Sequence, residues 1–253
     1  MDDGYCAMDI TAQTDQFRTG GYVVFRNAIP AERIRASRRH IHAALPDALV
    51  AEKVLQVPTL KTDPVLRDIT AGTAVADFLH TATAGAILPA EEAHVILRLP
   101  ELDGPATACL EPHLDGTWNP LQEQRPYGTL HAFCAHLFVF LGPVERPEYG
   151  AFHVWPGSHL RVAHYIEEHG LEDLKTARDG GRAILSSLDL GEPVPLSGDA
   201  GDVVLCHHLM AHSGSPNFGS EIRYGMVTRQ GQQGFLVARA EQYAEPFLQW
   251  PGI

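Results

Sequence analysis

The 253-residue sequence predicts an α+β fold, with helices first and then an antiparallel sandwich or barrel as the core. Three observations carry this. Residues 30–45 and 63–83 place apolar side chains at helical spacing. From residue 93 onward, short runs rich in β-branched and aromatic residues recur between Gly- and Pro-bearing turns. No repeat, low-complexity tract or linker divides the chain, and β cores of this size form single units, so residues 1–253 read as one domain.

The elements follow in order. Gly20-Gly21 turns into a strand over Tyr22–Asn27. Pro30 opens a helix, where its missing N–H costs nothing, with Ile34, Ile41 and Leu45 on one face and Arg38 interrupting it. Residues 63–83 form one or two short helices that bury Val75, Phe78 and Leu79. Ala93–Leu99 is a strand. Residues 116–128 hold Gly116, Pro120, Pro126 and Gly128 without periodicity and form a loop. Thr129–Leu141 reads as a long strand, apolar on both faces and therefore buried. Ala151–Trp155 is another strand, and Ser158 caps a helix running to Leu171. Residues 172–182 are charged and exposed. A turn-rich stretch leads to the strand Asp202–Cys206. In the strand Glu221–Gln230, Ile222, Tyr224, Met226 and Thr228 share one face, and Arg223, Gly225 and Val227 the other. Residues 241–253 carry a short helix ending near Pro251.

At 45% hydrophobic and 20% charged residues, the composition is that of an ordinary soluble protein. A net charge of -12 argues against a nucleic-acid or anionic-membrane partner, since both call for a basic patch. Cys6, Cys109, Cys134 and Cys206 lie far apart with no CxxC spacing, which fits four buried thiols in a reducing compartment. The N-terminus is acidic and lacks the pattern of a signal peptide, and the apolar run 135–141 is too short to span a bilayer. The expectation is a cytoplasmic protein with a small-molecule partner. Oligomeric state is not readable.

The chemistry centres on His113-Leu114-Asp115. On an extended segment, period-2 alternation puts the imidazole and the carboxylate on one face, where both can reach one metal ion. Chance or a loop cap also explains such a pair in a chain with fourteen histidines. Downstream, Cys206-His207-His208-Leu209-Met210-Ala211-His212 offers three further imidazoles, and Arg223 starts the next strand. Two His and one carboxylate make a facial triad that leaves open positions for a chelating 2-oxo acid and O2. Arg223 would meet the far carboxylate of that co-substrate in a bidentate pair.

The order His113-x-Asp115, Gly150-Ala151-Phe152-His153-Val154-Trp155-Pro156-Gly157-Ser158-His159, then Gly201-Asp202-Val203-Val204-Leu205 leading to His212-Ser213-Gly214-Ser215-Pro216-Asn217 and Arg223, resembles the phytanoyl-CoA dioxygenase (PhyH) family. Gly21-Tyr22-Val23-Val24-Phe25-Arg26-Asn27 followed by a helix is similar as well. The resemblance covers most of the chain. It implies a double-stranded β-helix (jelly-roll) core flanked by helices, mostly N-terminal. It implies Fe(II) on His113, Asp115 and His212, and 2-oxoglutarate anchored by Arg223, with O2 as oxidant. It points to His131 as a residue lining the 2-oxoglutarate pocket, with Thr129 facing the same way. Halogenating relatives carry a small residue at the carboxylate position, so Asp115 favours hydroxylation of a small or medium-sized molecule. Desaturation, epimerisation and ring formation use the same triad.

Arg98, Trp118 and Asn119 are candidates for substrate contact. His94, His136 and His208 read as packing residues, His207 comes too early to match the distal ligand of the family, and His153 and His159 read as structural hydrogen-bonding groups. Two other classes share such a core: a cupin-like metal-dependent isomerase or hydrolase, which needs the triad but not Arg223, and a non-catalytic binding protein.

Overall fold

The computed structural model describes residues 10–45, 53–101, 110–117, 126–235 and 237–253. Helix α1 (Ile10–Gly20) precedes strand β1 (Tyr22–Phe25) and helix α2 (Ala31–Ala44). Then come β2 (Val54–Gln56), a 3-10 turn (Pro58–Leu60), α3 (Pro64–Arg67), α4 (Ala74–Ala82) and β3 (Ala93–Arg98). The second half holds β4 (Ala135–Phe140), β5 (Phe152–Val154), α5 (Ser158–His169), α6 (Glu172–Thr176) and α7 (Arg182–Ser187). It continues with β6 (Val194–Leu196), β7 (Val203–His207), β8 (His212–Gly214), β9 (Arg223–Gln230) and α8 (Ala240–Ala244).

The strands form a six-stranded sheet, β1-β7-β4-β9-β3-β2, and a three-stranded sheet, β6-β5-β8. Every strand pairing among the described residues is antiparallel. The sheets face each other. Phe138, Phe140, Val204, Cys206 and Val227 of the larger sheet meet Phe152, Val154 and Leu196 of the smaller. The rings of Phe138 and Phe152 stack with centroids 4.6 Å apart.

The opposite face of the larger sheet carries Leu137, Val139, Leu205, Tyr224 and Met226. These pack with Phe17, Ile34, Ile41, Val75 and Phe78 from the N-terminal helices. β4 is therefore covered on both faces and buried throughout, as an unbroken apolar run requires. The two faces of β9 separate as alternation dictates: Tyr224 and Met226 go to the helical side, Val227 between the sheets. Pro30 precedes the first turn of α2 at φ −55, the value its ring imposes.

Several expectations need correction. The long strand expected over 129–141 is only β4. The segment before it docks on neighbouring chain instead of extending the ladder: the His131 N–H donates to the Gly116 carbonyl and the Cys134 N–H to Gln230, each at 2.9 Å. Ser158 does not cap α5. Gly157, in the left-handed region at φ 77, holds that position. The Ser158 hydroxyl instead donates to Met210 Sδ (3.1 Å) and accepts the Ala211 N–H (3.0 Å). Residues 172–182 are not simply solvated, because α6 turns Leu174 into the core.

Helix α1 and strands β2, β6 and β8 add to the elements read from the sequence. Cys134 and Cys206 are buried free thiols, whereas Cys6 and Cys109 lie outside the described residues. Among the described residues no helix is long and apolar enough to cross a membrane.

Candidate metal centre

His113 and His212 meet through the backbone. The His113 N–H donates to the His212 carbonyl (3.0 Å), and the His212 N–H returns to His113 (3.2 Å). This single antiparallel bridge ties the HxD segment to β8 and brings the two rings to a centroid separation of 4.5 Å. Asp115 follows at a turn whose next residue, Gly116, has φ +88. A Cβ at Gly116 would lie 2.8 Å from the His131 carbonyl, so only glycine lets the chain turn this closely. Asp115 Oδ1 then lies 3.8 Å from His113 Nε2 and 3.7 Å from His212 Nε2. One ligand atom from each of the three residues falls within 4.8 Å of the others.

The protonation states suit ligation. His212 Nδ1 lies 2.9 Å from the Met210 carbonyl, so the ring proton sits on Nδ1 and the Nε2 lone pair faces the centre. Burial, then His212, pushes the His113 pKa down to about 3, so its imidazole is neutral at neutral pH. Two imidazoles and one carboxylate around a common point form the donor set expected for Fe(II) with open positions.

Asp115 is held by a residue that sequence reading did not single out. Arg229 donates from Nε and Nη2 to the same oxygen, Oδ2, at 2.8 and 2.7 Å. His136 Nε2 lies 3.6 Å from that oxygen. Burial opposes ionisation of Asp115, but Arg229 first, and the imidazoles after it, outweigh burial and hold the carboxyl well below its usual range. Oδ2 is thereby occupied by protein donors, and Oδ1 is left for the centre. The register His136↔Arg229 between β4 and β9 sets both side chains on Asp115. The signal was present in the sequence: Arg229 continues the Arg223-Gly225-Val227 face, and His136 shares the Phe138-Phe140 face of β4.

Arg223 is buried between the sheets and 5% exposed. Its guanidinium lies 5.4 Å from the Phe138 ring centroid, and Nη1 donates to the Ile96 carbonyl at 3.2 Å. Burial, then Arg98, lowers its pKa to about 9, which still leaves it cationic at neutral pH. Phe138 stacks on Phe152, whose ring is 5.5 Å from that of His212. An apolar wall thus runs from the guanidinium to the donor triad.

The other candidates are placed as follows. Arg98 is the direct cross-strand partner of Arg223. His131 lines a cavity of about 370 Å³ together with Leu88, Glu91, His94 and Arg229. Thr129 is exposed, and its hydroxyl donates to the Pro126 carbonyl at 2.6 Å, so it is not brought to the triad with the others. Trp118 and Asn119 lie outside the described residues. His136 is buried as a packing residue, its ring against those of Phe152 and His212, with Nε2 facing Asp115. His159 Nε2 bonds the Arg18 carbonyl (3.2 Å) and His207 Nε2 the Pro246 carbonyl (2.6 Å). The His208 ring packs against Phe133, Phe235 and Tyr243.

Compared with known proteins, residues 17–225 match the phytanoyl-CoA dioxygenase (PhyH) family. A sequence search of curated proteins finds no match. Among solved structures, the chain is similar to the non-heme alpha-ketoglutarate-dependent carbocyclase SnoK from nogalamycin biosynthesis. The TM-score is 0.61 at 18% identity, over 88% of this chain and 84% of that one. The epimerase SnoN in complex with Fe3+, alpha ketoglutarate and nogalamycin RO matches at TM-score 0.60 and 17% identity, over 88% and 83%. HygX from Streptomyces hygroscopicus, with nickel, 2-oxoglutarate and hygromycin B bound, matches at 0.58 and 15%, over 90% and 89%. At these identities the likeness is one of fold.

Proposed function

The chain belongs to the phytanoyl-CoA dioxygenase (PhyH) family, and we propose that residues 1–253 form a single Fe(II)- and 2-oxoglutarate-dependent dioxygenase domain on a double-stranded β-helix core. The observation that carries this reading is the convergence of His113, Asp115 and His212 within 4.8 Å, with the buried Arg223 at the far end of an aromatic wall. Iron and 2-oxoglutarate are the groups bound in the similar epimerase structure.

His113 Nε2, His212 Nε2 and Asp115 Oδ1 would hold the iron, and Arg223 would bind the distal carboxylate of 2-oxoglutarate. When bound, the metal with 2-oxoglutarate and O2 supplies oxidation of a substrate C–H bond: R–H, O2 and 2-oxoglutarate become R–OH, succinate and CO2. The chain's residues position and insulate that chemistry. The Met210 carbonyl fixes the His212 tautomer. Arg229 keeps Asp115 ionised and its Oδ2 occupied, so a single carboxylate oxygen serves the metal. Phe138 and Phe152 exclude water between the arginine and the centre, which strengthens the carboxylate–guanidinium attraction.

The substrate is a small or medium-sized molecule, such as a natural-product intermediate, and its hydroxylation is the reaction Asp115 favours. The similar structures come from natural-product enzymes or hold such compounds. The test is aerobic incubation of the Fe(II) protein with 2-oxoglutarate and a natural-product library, following O2 uptake and succinate. Substrate-stimulated succinate release supports the reading. Turnover without succinate points to a cupin-like isomerase or hydrolase and overturns it.

A further inference from the structure

Two arginines, not one, stand together between the sheets. Arg98 ends β3 directly opposite Arg223 on the antiparallel neighbour β9, so the two side chains project from the same face. The Nε atom of each is buried without a hydrogen-bond partner. Like charges placed directly opposite destabilise a sheet, and a buried cation without a counter-charge is costly. No acidic group acts on Arg223 among the described residues. Glu101 acts on Arg98, but its carboxylate is already paired with Lys53 at 2.8 Å.

The glycines nearby make room for both heads. A Cβ at Gly225 would overlap Arg223 Nη1. A Cβ at Gly214 would lie 2.5 Å from Arg98 Nη2. Gly214 stands two residues after His212 on β8, so the Arg98 guanidinium occupies space beside the metal-bearing strand that a side chain would otherwise fill.

We propose that Arg98 is a second binding residue for the dicarboxylate co-substrate, pairing with Arg223 to clasp the distal carboxylate of 2-oxoglutarate between two guanidiniums. This rests on the functional reading above and assigns Arg98 to the co-substrate and not to the primary substrate. The pair makes a pocket selective for a 2-oxo dicarboxylate over a 2-oxo monocarboxylate, because only the former brings a negative charge between the two guanidiniums.

The test is anaerobic titration of the Fe(II) protein with 2-oxoglutarate and, separately, with 2-oxopentanoate, which keeps the chelating head but lacks the distal carboxylate. Removing one charge-assisted pair should weaken 2-oxoglutarate binding by about 10- to 100-fold in Arg98→Met, with 2-oxopentanoate affinity unchanged. Gly214→Ala, which leaves Arg98 in place but displaces its guanidinium, should show the same selective loss. A thermal scan of each variant without added ligand confirms folding. Unchanged 2-oxoglutarate affinity in both variants, or equal loss for both oxo acids, overturns the assignment. Failure of the wild-type protein to bind 2-oxoglutarate overturns the functional reading itself.

Discussion

Replacing Arg229 by methionine removes both donors from Asp115 Oδ2 while preserving most of the side-chain volume. The two side chains are 9% and 14% exposed, so water cannot replace the lost bonds. Breaking one partner out of a buried pair costs about 3–5 kcal/mol. Asp115 can relieve part of the loss by taking up a proton as its own pKa rises, which places the expectation at the lower end, about 3 kcal/mol. For a chain of this size that is a fall in melting temperature of roughly 6–12 °C.

The assay is urea unfolding of the metal-free protein at neutral pH, for Arg229→Met alone and in an Asp115→Asn background. In the second background the charge to be satisfied is gone, and the same substitution should cost under about 1 kcal/mol. The pH dependence has a definite sign. The folded carboxyl lies below its unfolded value, so the pair's contribution is present above about pH 3.9 and is lost as pH falls through the lowered pKa. In Arg229→Met burial is less opposed, the Asp115 pKa rises, and metal binding should weaken at a higher pH than in wild type. An identical cost in both backgrounds would refute the reasoning, since Arg229 would then act by packing alone.

Two further predictions follow from the interior. Burial holds His159 at about 4 and His208 at about 3, each below the unfolded value. Such depressed groups leave the fold most stable above about pH 6.5 and destabilise it as pH falls toward their folded values, by about 1.4 kcal/mol per histidine per pH unit. Urea midpoints of the metal-free protein should therefore drop between pH 7.5 and 5.5, and a flat profile would show that these rings do not titrate on unfolding. Gly225→Ala should force the Arg223 guanidinium and Phe138 aside, costing about 1–3 kcal/mol of stability by overpacking. Calorimetry and a 2-oxoglutarate titration check it, and a variant with wild-type values for both would show that Arg223 does not need that space.

The HxD pair and the Arg223 face of β9 were legible because both are local. Each depends on period-2 alternation over a few residues, which the chain states directly. Arg229 was not singled out and His136 was read only as a packing residue, although each lies on a face the same alternation defines, because what matters about them is their place beside Asp115. That placement exists only through the β4–β9 register and the bridge from His113 to His212, which are long-range pairings. The shortening of β4 has a similar origin. Ala132, Phe133 and Cys134 look like strand residues because they are buried, but what holds this segment is the turn at Gly116 and the end of β9. Ser158 has the right residue type for a helix cap and the right position within one residue. Its hydroxyl is diverted to Met210 and Ala211, which fixes the approach to His212 instead.

The central claim is that His113, Asp115 and His212 hold Fe(II) in a form that chelates 2-oxoglutarate. Anaerobic addition of 2-oxoglutarate to the Fe(II) protein tests it most directly, through the weak visible charge-transfer band of the chelate. The prediction is a band that saturates with added 2-oxoglutarate in wild type and is absent from a folded His113→Ala variant. No band in wild type, or the same band in His113→Ala, would contradict it.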